Sequence, residues 1–210
     1  MQIGIVLFPG FTPLDAVGPY HALAGLPGAD VAFIAEQAGP VGNGGAFTME
    51  AHAALEDVDA VDVLLVPGGL AAIELARRGG SLVEWIRHVH PTTTWTTSVC
   101  TGSLLLGAAG VLDGLDATTH WSCTEMLRDY GANPVDQRWV QQGKVVTSAG
   151  VSAGIDMSLH LVAQITDERY AQALQLDMEY DPQPPFQAGH PRSAPAEVTS
   201  FVRAMYDGVL

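Results

Sequence analysis

Three observations predict an α/β fold for this chain. Short apolar strands alternate with amphipathic helices, which is the pattern of a layered sheet. The run "VDVLLV" is continuously apolar, as suits a strand buried on both faces of a parallel sheet. In "TTWTTSVCTGSLLLGAAGVLDG" a β-branched run from Thr92 to Val99 stops at Cys100, and a small-residue helical pattern begins after Gly102. Together they predict a three-layer α/β/α sandwich with a mostly parallel, flavodoxin-like sheet and a cysteine placed as a nucleophile elbow.

The elements follow in order. "QIGIVLF" reads as a strand, and "TPLDAVGPYHALAG" as a helix opened by Thr12 with Pro13 at its first position. "ADVAFIAE" is a second strand, and "GPVGNGG" with the segments around Phe47 and His52 predicts a small hairpin. After "VDVLLV" and the punctuating "PGG" come the helices "LAAIELARR" and "SLVEWIRHVH", then the Thr-rich strand and the helix after Cys100. "DATTH" reads as a short strand, "SCTEMLRDYG" as a helix, and "RWVQQGKVVTSAG" as a hairpin leading into the helix "AGIDMSLHLVAQI". "DERYAQALQLDMEY" is helical, "DPQPPFQAGHP" is irregular because of its Pro and Gly, and "APAEVTSFVRAMYDGV" closes the chain as a helix. The sequence contains no internal repeat, and residues 1–210 are expected to form one domain, with the Pro-rich segment and C-terminal helix at about 181–210.

Composition limits the function classes. With 48% hydrophobic and 15% charged residues in 210, the chain can bury a full core. The longest apolar segments fall short of the roughly 18 residues of a membrane span. The start "MQIGIVLFPG" lacks the basic region of a secretory signal, so a cytoplasmic location is expected. Nine Lys+Arg against 23 Asp+Glu give a net charge of −14. Such a surface repels phosphate backbones and anionic lipid, which disfavours nucleic acid and membrane as partners. The two cysteines, Cys100 and Cys123, are expected to be reduced and need not lie near each other.

Active sites of parallel sheets lie at the carboxyl ends of strands, and Gly68-Gly69 and Cys100-Thr101-Gly102 both fall there. A cysteine on such a corner is either a buried strand end or a nucleophile whose thiolate is favoured by the following helix N-terminus. The Thr101 N–H and an N–H of the Gly68-Gly69 turn would then form an oxyanion-type hole. Asp15 is either a solvent-facing first-turn residue favoured by the helix dipole or a site residue that moves protons. His120, in "TTHW", is either a structural hydrogen-bonder or a site residue. His88 and His90 with Trp85 read as helix-end decoration. His120 and Cys123 at i, i+3 lack further ligands at zinc spacing, so no metal is expected. "GNGGAF" lacks the final Gly and following helix of a dinucleotide loop and reads as a turn.

Several motifs now stand in order: "F-x-P-L-D-x-V-G-P", "LLVPGG", "SVCTGSLLLGAAGVLDG", "ATTHW" and "TSAGVSAGIDMSLHLV". In this order they resemble the ThiJ/PfpI branch of the class I glutamine amidotransferase-like superfamily, from the first strand to about residue 180. Asp15, Cys-Thr-Gly and the tail "MEYDPQPPFQAGHP" are similar to the branch that adds water to an isonitrile, R–N≡C, giving an N-substituted formamide. The resemblance implies Cys100 as nucleophile, Asp15 as proton shuttle, Thr101 and Gly69 as donors, a homodimer, a small-molecule substrate and no cofactor. Peptidase- and deglycase-like members commonly have His directly after the nucleophile and Glu in the first helix, where this chain has Thr101 and Asp15. Transcription-regulating members add a helix-turn-helix domain, which the chain is expected to lack. A glyoxalase- or deglycase-like activity on α-oxoaldehydes, and a non-catalytic redox sensor with an oxidisable Cys100, remain as alternatives.

Overall fold

The computed structural model describes residues 1–207 and opens with β1 (Gln2–Val6), whose last four residues are buried. Helix α1 (Pro13–Leu23) starts from an extended Thr12, with Pro13 supplying the φ of a first helical residue. β2 (Asp30–Ala35) pairs parallel with β1, and β3 (Gly39–Gly42) with β4 (Thr48–Ala51) makes the predicted hairpin. At its tip the Asn43 side chain accepts the Gly45 and Phe47 N–H groups, so "GNGGAF" is an Asx-type turn. β5 (Ala53–Ala54) returns to the sheet edge beside β2.

β6 (Val63–Val66) is buried throughout, and helices α2 (Leu70–Arg78) and α3 (Ser81–Val89) follow it. β7 (Trp95–Val99) is shorter than the β-branched run. His90–Thr92 forms a 3₁₀ turn instead, with the Thr93 hydroxyl donating back to the His90 carbonyl. Helix α4 (Gly102–Ala108) follows Cys100 after one residue. β8 (Asp116–Ala117) and β9 (Asn133–Pro134) pair only with each other, so "DATTH" forms a two-residue bridge outside the main sheet. Trp121–Tyr130 winds as a 3₁₀ helix, where Thr124 donates its hydroxyl back to the Trp121 carbonyl and competes with the wider ladder. β10 (Trp139–Gln142) and β11 (Val145–Ser148) form the second hairpin, and α5 (Ala153–Ile165) occupies the span read from the sequence. Helices α6 (Glu168–Asp177) and α7 (Ala196–Asp207) flank the Pro-rich arm. Gly208 and Val209, the last residues of the predicted terminal helix, lie outside the described residues.

The main sheet has the order β10-β11-β7-β6-β1-β2-β5, parallel except for β10. α1 packs on α5 and α5 on α6, while α2 and α3 pack on α4, so two helical layers flank the sheet. From β1 the chain first adds β2 on one side and later β6 on the other. That reversal is a topological switch point, where carboxyl-end loops diverge and leave a crevice. The loops after β1, β6, β7 and β11 all open there, and each supplies part of the site.

Candidate active site

Cys100 directly follows β7 with φ of 55°, a left-handed backbone that a side chain adopts only at a cost of about 1–2 kcal/mol. Four main-chain hydrogen bonds hold it there. Its N–H donates to the Ser148 and Ala149 carbonyls at 3.2 and 3.0 Å. Its carbonyl accepts the hydroxyls of Ser103 at 3.2 Å and Thr119 at 3.0 Å. Gly102 lets the next turn approach β6, since a Cβ there would strike the Val66 carbonyl oxygen.

Asp15 points inward from α1 and is 0% exposed, which rules out the solvent-facing reading. Its Oδ2 accepts the Gly68 N–H at 2.9 Å, while its Oδ1 is buried with no hydrogen-bond partner among the described residues. Burial raises its pKa from 3.8 to about 7, against the lowering influence of the Gly68 N–H and the Cys100 thiol. The dipole of α1 would favour a carboxylate in the first turn, but loss of water outweighs it here. The same burial, with the Asp15 charge, pushes the Cys100 thiol far above its ordinary range, and the Thr101 and Val151 N–H groups offset this only in part. Desolvation and the neighbouring acid thus act on the thiol in the direction opposite to the helix start and its N–H groups. Burial opposes charge on the acid and on the thiol alike.

The Gly68-Gly69 turn also departs from its expected role. The Gly68 N–H is taken by Asp15, and the Gly69 N–H donates to Thr101 Oγ1 at 2.9 Å. The Thr101 hydroxyl donates to the Gly69 carbonyl at 2.8 Å, so neither glycine N–H is left as a free oxyanion donor. Buried donors must be satisfied, and these are satisfied internally. The glycines serve by fit: a Cβ on Gly68 would lie 2.6 Å from the Thr101 nitrogen, and Gly69 has φ of 147°. The donors that do reach the sulfur are the N–H groups of Thr101 and Val151. Val151 carried no role in the sequence reading, although the motif "TSAGVSAG" contains it.

His120 lies next to Thr119 but does not partner Cys100. Its Nδ1 meets the Ser122 hydroxyl at 2.7 Å and caps the 3₁₀ helix, and its ring stacks on Tyr206. Burial lowers its pKa, which favours the neutral ring. Beside it a cavity of about 440 Å³ is lined by Thr119, Trp121, Gly150 and Val151 on one side and by His190 and Arg192 of the Pro-rich arm on the other. Asp136 ties the arm down through His190 at 3.1 Å and through Arg192. Cys123 is also buried, and its charge acts on the Cys100 thiol in the raising direction. Among the described residues no group of three or more His, Cys, Asp or Glu is arranged to hold a metal ion.

These features first define a class: a flavodoxin-like α/β protein with a strained cysteine after a central parallel strand and a buried acid from the first helix against it. Residues 1–164 match the DJ-1/PfpI family, and the chain belongs to it. An isonitrile hydratase of Pseudomonas putida is 40% identical over 203 residues, covering 97% of this chain and 89% of that protein. A THiJ/PfpI family protein from Pseudomonas syringae has a crystal structure that matches with a TM-score of 0.91 at 37% identity, over 99% of this chain and 86% of that one. Drosophila melanogaster DJ-1beta, at 18% identity and a TM-score of 0.71 over 85% of this chain and 97% of its own, shares the fold.

Proposed function

We propose that this protein is an isonitrile hydratase that converts R–N≡C and water into an N-substituted formamide. One observation carries the reading: a buried acid, Asp15, lies against the thiol of an elbow cysteine, Cys100, in a chain 40% identical over 97% of its length to the Pseudomonas putida enzyme. In this reading Asp15 as carboxylate takes the Cys100 proton while sulfur bonds to the terminal isonitrile carbon. Asp15 then returns the proton to that carbon, giving a thioimidate, S–CH=N–R. Water adds across C=N, its hydroxyl to carbon and its proton to nitrogen. The C–S bond breaks as the hydroxyl loses its proton, the sulfur is reprotonated through Asp15, and the formamide leaves. An acid with a pKa of about 7 suits both directions of transfer near neutral pH. The Thr101 and Val151 N–H groups supply the donors for charge that builds at the sulfur. Every atom in this sequence comes from thiol, acid, water and substrate, so it calls for no cofactor.

The test is direct product detection with cyclohexyl isocyanide, with methylglyoxal as the comparison substrate. N-cyclohexylformamide formation above the uncatalysed rate, exceeding turnover of methylglyoxal, is expected; lactate formation without formamide overturns the reading in favour of the glyoxalase-like alternative. We also propose a homodimer. Leu176, Phe186 and Phe201 are 80%, 76% and 68% exposed on the C-terminal segment, the kind of apolar surface a second copy would cover. Light scattering that stays at the monomer mass of 22.1 kDa over a wide concentration range overturns it. A cytoplasmic setting is proposed on chemical grounds, since the nucleophile must stay a reduced thiol.

A further inference from the structure

The Cys100–Asp15 pair is closed in: Cys100, Asp15 and Thr101 are 5%, 0% and 2% exposed. What stands over it can be traced from the elbow outward. Thr119 holds the Cys100 carbonyl, and the next residue, His120, packs beside Gly150 so closely that a Cβ there would lie 2.9 Å from the imidazole Cδ2. On His120 lies the ring of Tyr206, with centroids 5.1 Å apart and planes 25° from parallel. Tyr206 belongs to α7, whose less exposed positions Thr199, Val202 and Tyr206 recur at helical spacing and form its inner stripe. One turn before it, the Arg203 guanidinium sits 5.4 Å from the Trp121 ring centroid and fastens the helix over the same corner. Burial and the charges of Cys100, Cys123 and Asp15 all push the Tyr206 phenol up, which places it in the field of the pair.

We propose that Tyr206 is the gate residue of this site: α7 lays its ring across the approach to Cys100 and thereby limits the size of molecule that reaches the sulfur. Neither the hydration steps nor the family match over residues 1–164 involves α7. An aromatic ring suits such a wall, because it covers much area with few rotatable bonds. Closure also keeps bulk water from the pair, which preserves the desolvation that raises Asp15. The substrate side of this inference rests on the isonitrile reading; the gate itself does not.

The test therefore has two arms. In a Cys123→Ala background, alkylation of Cys100 is timed with iodoacetamide, which is small, and with N-(1-pyrenyl)maleimide, which is bulky. Tyr206→Ala is expected to raise the bulky-to-small rate ratio by about tenfold or more, while Tyr206→Phe, which keeps the ring, stays within about twofold of the parent. A ratio unmoved by Tyr206→Ala overturns the gate, as does a Tyr206→Phe ratio as high as that of Tyr206→Ala. In the second arm, kcat/KM for an aryl isonitrile relative to methyl isonitrile is expected to rise in Tyr206→Ala. Formamide from the parent with an unmoved alkylation ratio sinks the gate alone. A shifted ratio with no formamide from any variant keeps the gate and sinks the isonitrile reading.

Discussion

Cys100 and Cys123 are both buried, at 5% and 1% exposure, and burial raises both thiols above their ordinary range. Their surroundings differ in backbone and in company. Cys123 lies in a 3₁₀ turn beside the Ser122 hydroxyl at 3.5 Å, with Arg77 offering a distant positive charge. Cys100 is held at a left-handed φ by four main-chain bonds, with two N–H groups facing its sulfur and an equally buried acid beside it. Desolvation by itself makes a thiol inert. When an acid shares the desolvation, the proton has somewhere to go, and the pair becomes chemically useful.

The largest expected effect separates the two sulfurs outright. Cys100→Ala should abolish formamide production, whereas Cys123→Ala should retain the rate within about twofold, because only one thiol has a proton acceptor in contact. Comparable losses in the two variants, read in the same product assay, would break the comparison. Next comes the acid. Asp15→Asn should lose about 10²- to 10⁴-fold in turnover, the usual loss for a positioned acid/base group. Unchanged turnover would remove Asp15 from the chemistry.

A smaller loss is expected from Asp15→Glu. The site is fully buried around this carboxyl, so an extra methylene displaces it by about one bond length, and a misplacement of that order costs about tenfold to 100-fold. Full isonitrile turnover in this variant would show that position does not matter and that acidity suffices. The last effect concerns stability. Because the Asp15 pKa is raised from 3.8 to about 7 on folding, its contribution is fully present below pH 3.8 and is lost as pH rises towards 7. Asn keeps an acceptor for the Gly68 N–H and carries no charge. Asp15→Asn should thus be more stable than the parent at pH 8 by up to about 4 kcal/mol, with the difference vanishing near pH 4. Denaturant unfolding at the two pH values checks this, and a difference that does not change with pH removes burial of charge as its cause.

Much of this was legible in the residues. Hydrophobic period and turn residues placed every strand of the main sheet except the two-residue β5 and fixed α5 at Ala153–Ile165, because burial on one or both faces writes itself into the order of side chains. Cys100 and Thr101 could be singled out at a strand end, and Asp15 as an acid in an otherwise apolar helix start. The environment that gives them their properties could not. Whether Asp15 faced water or the core depended on how α1 rolls against the sheet, and a weakly amphipathic "PLDAVGPYHAL" does not report that roll. The Val151 donor is a main-chain N–H, which any residue type but proline supplies, and so leaves no mark in side-chain chemistry. The Gly68 and Gly69 donors were misassigned because their availability depends on partners 53 and 32 positions away. Tyr206 reads as one more residue of an amphipathic terminal helix until the arm folds back.

The way Cys100 is mounted has an engineering consequence. All four bonds that fix the corner are made by its main-chain N–H and carbonyl, so none depends on sulfur. The corner is a socket, and the side chain is the exchangeable tool. Serine, selenocysteine or an unnatural nucleophile inserted at this position would inherit the same orientation and the same neighbouring acid, with side-chain volume as the main steric constraint. Redesign for a different electrophile can therefore leave β7 and α4 untouched and concentrate on the wall residues contributed by other loops.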